Sequence, residues 1–186
     1  EAFATFMSFK AVDNWRPDLD MWSGFLNYRE VGLNADALVN THPIYTPVES
    51  PAEANELFDA ITYEKGASVL RMVETYLGEE PFKRGMQAYI QAYKNKNAAG
   101  ADLWHHLQVA SGQPVDSFMQ DWVHQEGFPL VGVKSVEENG RTYLNLSQKR
   151  CFSNAEKMAD LGGGEKWQIP MQIRYGTKNG VKTHSF

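Results

Sequence analysis

Along this chain the spacing of apolar residues changes once, near Pro129. Before it, apolar positions recur every three to four residues, the period of a helix with one buried face. Phe3, Phe6, Met7 and Ala11 predict a first helix over residues 2–12 that breaks near Asn14 and Pro17. Met21, Trp22, Phe25, Leu26 and Val31 predict a second, with Asp18 or Asp20 to cap it and Gly32 and Asn34 to weaken its end. Residues 34–49 hold neither period, and Pro43 and Pro47 make them an extended loop. Ser50-Pro51-Ala52-Glu53 joins a capping box to a proline at the first helical position, which predicts a helix carrying Leu57 and Phe58. Another runs from about Tyr63 through Val69, Leu70, Val73 and Leu77 to a stop at Gly78. Three more are expected at 81–93, 102–110 and 115–124, with Gly112 and Gly127 as punctuation.

After Pro129 the period falls to two, the mark of strands. Residues 130–136 and 142–147 alternate on either side of Asn139-Gly140, a strong hairpin turn signal. A Gly-rich loop at Gly162-Gly163-Gly164 precedes a further alternating run, 167–175, and Asn179-Gly180 offers a second turn before Val181. The expected fold class is therefore mainly α followed by β. Residues 1–129 form the helical unit, and 130–186 form an all-β unit of about four strands with an open edge.

Composition supports a packed protein: 186 residues, 42% hydrophobic and 12% aromatic, can bury a real core. With 18 basic against 23 acidic side chains the net charge is -5, and no basic cluster forms, so nucleic acid and anionic membrane are poor partners. No apolar run reaches the roughly 18 residues of a transmembrane helix, and no signal peptide opens the chain. A single cysteine, Cys151, allows no internal disulfide or multi-thiolate metal site; a partly buried position in a strand and a reducing, cytoplasmic setting are expected. The chain lacks an initiator Met and closes on Thr183-His184-Ser185-Phe186 without a charged or Gly-rich tail, so it reads as a piece of a longer polypeptide.

Candidate chemistry is sparse on spacing alone. None of His42, His105, His106, His124 and His184 makes the i, i+4 pair that sets two imidazoles on one helical face. His105 and His106 point about 100° apart on their helix and cannot chelate together. Glu1 by itself reads as a solvated terminal carboxylate. Tyr63 by itself reads as an aromatic residue that packs at a helix start, and Glu64 and Lys65 as a solvated helix face.

Two runs change that picture. Glu1-Ala2-Phe3-Ala4-Thr5-Phe6-Met7 and Thr62-Tyr63-Glu64-Lys65-Gly66-Ala67 together resemble the zinc aminopeptidases of the alanyl, tricorn-interacting and endoplasmic-reticulum type, a branch of the gluzincin metallopeptidases. The likeness extends through the Thr41-His42-Pro43-Ile44 loop, Leu57-Phe58-Asp59-Ala60-Ile61, Phe118-Met119-Gln120-Asp121-Trp122 and Gly127-Phe128-Pro129. Leukotriene hydrolase shares the glutamate and the tyrosine, but the Thr-His-Pro-Ile loop looks more like the aminopeptidases.

The resemblance implies that Glu1 is the third zinc ligand and that Tyr63 stabilises the transition state of peptide-bond hydrolysis. It also implies the C-terminal helical half of a thermolysin-like catalytic domain followed by the start of a small β-sandwich. In that family the His-Glu-x-x-His helix and the Gly-x-Met-Glu-Asn exopeptidase loop lie upstream of the glutamate, and a long helical domain lies downstream. This chain carries none of them, so by itself it is expected to bind no zinc and to be inactive. Its expected partners are the remainder of the enzyme chain, a peptide substrate in the parent protein, and further copies of itself through uncovered apolar faces. A membrane-anchored or secreted parent stays open. The rival reading is a non-catalytic helical scaffold or protein-interaction domain, in which Glu1 and Tyr63 are incidental.

Overall fold

A computed structural model describes residues 1–154 and 164–186. Helices occupy the first part and antiparallel strands the second, in the order the change of period predicts. Seven α-helices are described: α1 Ala2–Trp15, α2 Met21–Asp36, α3 Pro51–Glu56, α4 Gly66–Leu77, α5 Glu79–Ala92, α6 Gly100–Ser111 and α7 Val115–His124. A 3-10 turn, Pro17–Leu19, separates α1 from α2, and a π-helical turn, Ile61–Lys65, leads into α4.

The core gathers on α4, which meets α1, α5 and α7. Val69, Leu70, Val73 and Leu77 recur on its buried face and close against Phe6, Phe25, Phe82, Leu107 and Phe118. Each such side chain contributes about 1.5 to 3 kcal/mol on leaving water. Aromatic edges organise the α1 side: Phe6 meets Phe82 at 5.6 Å and Phe9 meets Phe25 at 5.1 Å, both edge to face. At α5 and α6 the backbones close up where Gly85 faces Leu107; a Cβ on Gly85 would lie 2.9 Å from the Leu107 Cα.

Several local expectations need correction. Asp20 stands at the N-cap of α2, but it is left-handed (φ 46°) and its side chain makes no cap bond. Asp18 pairs with Arg16 instead, at 2.6 Å. Helix α2 continues past Gly32 and Asn34 to Asp36, because Gly32 is the point of closest approach to the π-helical turn. Ser50 does cap α3, accepting from the Glu53 amide at 3.4 Å, while Glu53 reaches back to the Glu49 amide at 2.8 Å. That helix ends at Glu56, leaving Leu57 and Phe58 outside it.

Four strands are described: β1 Pro129–Glu138, β2 Arg141–Arg150, β3 Gln172–Thr177 and β4 Gly180–Ser185. Two separate ladders are described, β1 with β2 and β3 with β4. Asn139 and Gly140 take φ of 52° and 73°, the backbone of a type I′ turn, and set Glu138 opposite Arg141. In the second hairpin Thr177 pairs with Gly180, so the turn is Lys178-Asn179, one residue earlier than predicted.

The alternating run from Trp167 enters its ladder only at Gln172. Ahead of Pro170 the Gln168 amide donates to Asp121 of α7 at 2.7 Å and its carbonyl accepts from the Trp122 indole at 3.0 Å, while the Trp167 amide donates to the Gln148 side chain of β2 at 2.9 Å and its carbonyl accepts from that side chain at 3.0 Å. Trp167 is buried. Cys151 is partly buried, one residue beyond β2, where its amide donates to the Phe128 carbonyl at 2.8 Å. Gly162 and Gly163 of the expected Gly-rich loop lie outside the described residues.

Candidate active site

Glu1 and Tyr63, far apart in sequence, meet in space. Glu1 occupies the N-cap of α1, where its carbonyl accepts from the Thr5 amide at 3.0 Å and its exposed side chain makes no cap bond. The Tyr63 phenol lies near enough to that carboxylate for its charge to act on the phenol. Partial desolvation first, then the Glu1 bond and charge, then Glu64, raise the Tyr63 pKa above that of a free phenol. Tyr63 therefore stays protonated at neutral pH and acts as a donor.

Small residues make the meeting possible. A Cβ on Gly66 would lie 2.5 Å from the Ala2 Cβ, so the first turn of α1 rests on the exit of the π-helical turn. Opposite, a Cβ on Gly32 would lie 2.5 Å from the Lys65 amide nitrogen, so α2 presses on the same turn from behind.

The turn that carries Tyr63 is fastened from outside. Asp59 Oδ1 accepts the Ile61 and Thr62 amides at 2.9 and 2.8 Å, and the Asp59 carbonyl accepts the Tyr63 amide at 3.1 Å. His42 Nε2 lies 2.5 Å from Asp59 Oδ2, and His42 Nδ1 lies 2.7 Å from the Pro43 carbonyl. Both ring nitrogens thus face acceptors, which suits an imidazolium. Burial lowers the His42 pKa, but the Pro43 carbonyl and Asp59 outweigh it and hold the pKa above the ordinary histidine range. For Asp59, burial raises the pKa, and the Thr62 amide, His42 and the Ile61 amide more than offset it.

Lys65 is not on a solvated face, contrary to the sequence expectation. It is 1% exposed, pairs with the fully buried Asp36 at 2.7 Å and donates to the Gly127 carbonyl at 3.0 Å. Asp36 also accepts from the Gly127 amide at 2.8 Å and the Thr41 hydroxyl at 3.0 Å. Burial lowers the Lys65 pKa, with Asp36 opposing. Glu64 is half-buried, with one carboxylate oxygen out of solvent. Neither His42 and Asp59 nor this lysine pair was singled out from sequence. The available signal was an aspartate just ahead of a helical segment, one residue before the Ala60 N-cap.

A carboxylate with free lone pairs beside a phenol donor fits one ligand position of a hydrolytic zinc site. Among the described residues no three His, Cys, Asp or Glu side chains gather as a ligand set, so Glu1 fits as one donor of a set completed elsewhere.

A helical core brings the two motif runs together, and strands follow it. Residues 1–122 match the Peptidase family M1 domain, and the chain belongs to peptidase family M1. It is 46% identical over 174 residues to Probable aminopeptidase 2 of Sulfurisphaera tokodaii, covering 93% of this chain and 21% of that protein. It is 39% identical over 183 residues to the Tricorn protease-interacting factor F2 of Thermoplasma acidophilum, covering 98% of this chain and 22% of that protein. Aminopeptidase M1 of Arabidopsis thaliana is 39% identical over 177 residues, 95% of this chain and 19% of that protein. The chain thus spans about a fifth of the length of these relatives. No helix among the described residues is long and apolar enough to cross a membrane.

Proposed function

We propose that this chain is part of a zinc-dependent aminopeptidase that removes N-terminal residues from peptides. In this reading residues 1–129 belong to the catalytic domain and 130–186 open a β-sandwich domain. The observation that carries it is the nearness of the Tyr63 phenol to the Glu1 carboxylate, whose charge acts on the phenol and which would set a metal ligand and an oxyanion donor side by side. Glu1 would hold the metal with two histidines contributed by the remainder of the enzyme chain, which would also supply the general base. When bound, zinc supplies Lewis acidity toward the scissile carbonyl. Tyr63 donates its hydroxyl proton as a hydrogen bond to the oxygen on which negative charge develops. The 186-residue chain alone binds no stoichiometric zinc and hydrolyses no aminoacyl amide, and its compartment is the cytoplasm.

Glu1→Gln in the full-length enzyme tests the assignment, because it keeps the shape of the side chain and removes its charge. Zinc content by metal analysis and hydrolysis of a chromogenic aminoacyl amide should both fall. Full retention of zinc and turnover would remove Glu1 from the ligand set.

A further inference from the structure

We propose that Asp59, clamped by His42, is the positioning residue that aims the Tyr63 hydroxyl at the reacting carbonyl. The proposal rests on the reading of Tyr63 as the oxyanion donor. A π-helical turn begins with amides that have no partner inside it. Here Asp59 Oδ1 takes the first two, Ile61 and Thr62, and the Asp59 carbonyl takes the third, that of Tyr63 itself. One residue therefore anchors the backbone at each of the three positions that set where the phenol points.

The second carboxylate oxygen fixes the anchor in turn. Asp59 Oδ2 meets His42 Nε2 at 2.5 Å, and the ring is oriented by its other nitrogen at the Pro43 carbonyl. The charged groups acting on His42 are Asp59 and Asp36. Such π-helical insertions concentrate at functional sites because they re-aim side chains. Closing this one to ordinary α-helix would turn Tyr63 about the axis relative to Gly66, whose contact with Ala2 fixes the side on which Glu1 lies. Neither His42 nor Asp59 touches Glu1 through any described bond. Their influence on chemistry runs through Tyr63.

A double-mutant cycle in the full-length enzyme tests this, with Asp59→Ala, Tyr63→Phe and the pair combined, read as kcat and KM separately. Misaiming a donor by about 1 Å can cost roughly 100-fold in rate, so Asp59→Ala should lower kcat by about 10-fold to 100-fold with little change in KM. In the Tyr63→Phe background the same change should cost less than about two-fold, since the hydroxyl to be aimed is gone. Asp59→Asn keeps the Oδ1 acceptor and should recover much of the loss. If Asp59→Ala does not fold, His42→Ala replaces it, with His42→Gln as the conservative partner that still offers a donor to Asp59. Equal losses in both backgrounds would assign Asp59 a general structural role and overturn the proposal, as would an unchanged kcat in Asp59→Ala. Normal turnover in Tyr63→Phe is a separate result that removes the oxyanion reading itself.

Discussion

The Lys65 ammonium lies 2.7 Å from the Asp36 carboxylate with both side chains sealed from solvent, two residues past the tyrosine of the candidate site. The contact with Oδ2 is an ion pair rather than an aligned hydrogen bond, and Asp36 Oδ1 is held by the Gly127 amide and the Thr41 hydroxyl. This pair ties the end of α2, the following loop, the π-helical turn and the start of the β region to one buried point. Arg150 extends the tie, meeting Glu126 at 2.6 Å and stacking over Phe152 at 4.6 Å.

Breaking the pair from one side should be costly. Lys65→Met leaves Asp36 charged in the interior, and losing one partner of a buried ion pair typically costs about 3 to 5 kcal/mol. Lys65→Met/Asp36→Asn removes both charges and should recover a measurable part of that loss. Urea unfolding of the two variants gives the comparison. A double variant no more stable than Lys65→Met alone would mean that charge pairing is not what holds this point together.

Sequence pattern exposes most of this framework and conceals its joints. The bounds of α7, Val115–His124, follow from Phe118, Met119 and Trp122 at helical spacing, and Asn139-Gly140 places the first hairpin turn. Each signal is local, so no knowledge of the rest of the fold is needed. The π-helical turn is different. Ile61-Thr62-Tyr63-Glu64-Lys65 has ordinary helix composition, and its register is set by Asp59, by Gly32 from behind and by Ala2 in front. Burial of Lys65 was illegible for the same reason: its partner Asp36 lies on another helix, and a lone lysine reads as solvated. Glu1 and Tyr63 stand out as candidates only through the motif runs around them, since neither residue type at its position implies the other.

The His42–Asp59 pair should leave a pH signature on stability. His42 has a folded pKa above its ordinary 6.5, so its contribution is full below that value and is lost as pH rises through the folded pKa. Asp59 has a folded pKa below its ordinary 3.8, so its contribution is full above that value and is lost as pH falls through the folded pKa. The difference in melting temperature between wild type and His42→Gln should be greatest between about pH 4 and 6.5 and shrink on either side. A difference flat from pH 4 to pH 9 would show that the imidazolium is not what stabilises the loop.

Apolar surface on the helical part should drive association of the 186-residue chain. Trp15 is 74% exposed and Val31 55% exposed, and a groove of about 710 Å3 between α2 and α4 is lined by Phe25, Leu26, Met72 and Trp122. Monomers rarely leave contiguous apolar patches beyond a few hundred Å2 uncovered. Light scattering at rising concentration should show dimers or larger species, with a fluorescent apolar dye binding the monomer and released on association. A strictly monomeric chain that binds no dye would count against this.

Tyr63 is the residue on which the catalytic reading turns. On that reading, removing its hydroxyl deletes a donor aimed at charge that exists only in the transition state, so kcat should fall far more than substrate affinity. Loss of one such donor costs about 100-fold to 1000-fold in rate, or about 3 to 4 kcal/mol. Tyr63→Phe preserves the ring and its contact with Phe58 at 6.1 Å, so packing is held constant while the donor is lost. In the full-length enzyme the variant should fold, retain zinc and turn over at least about 100-fold more slowly than wild type. Near-normal turnover would make Tyr63 a packing residue and leave its contact with Glu1 without a catalytic role.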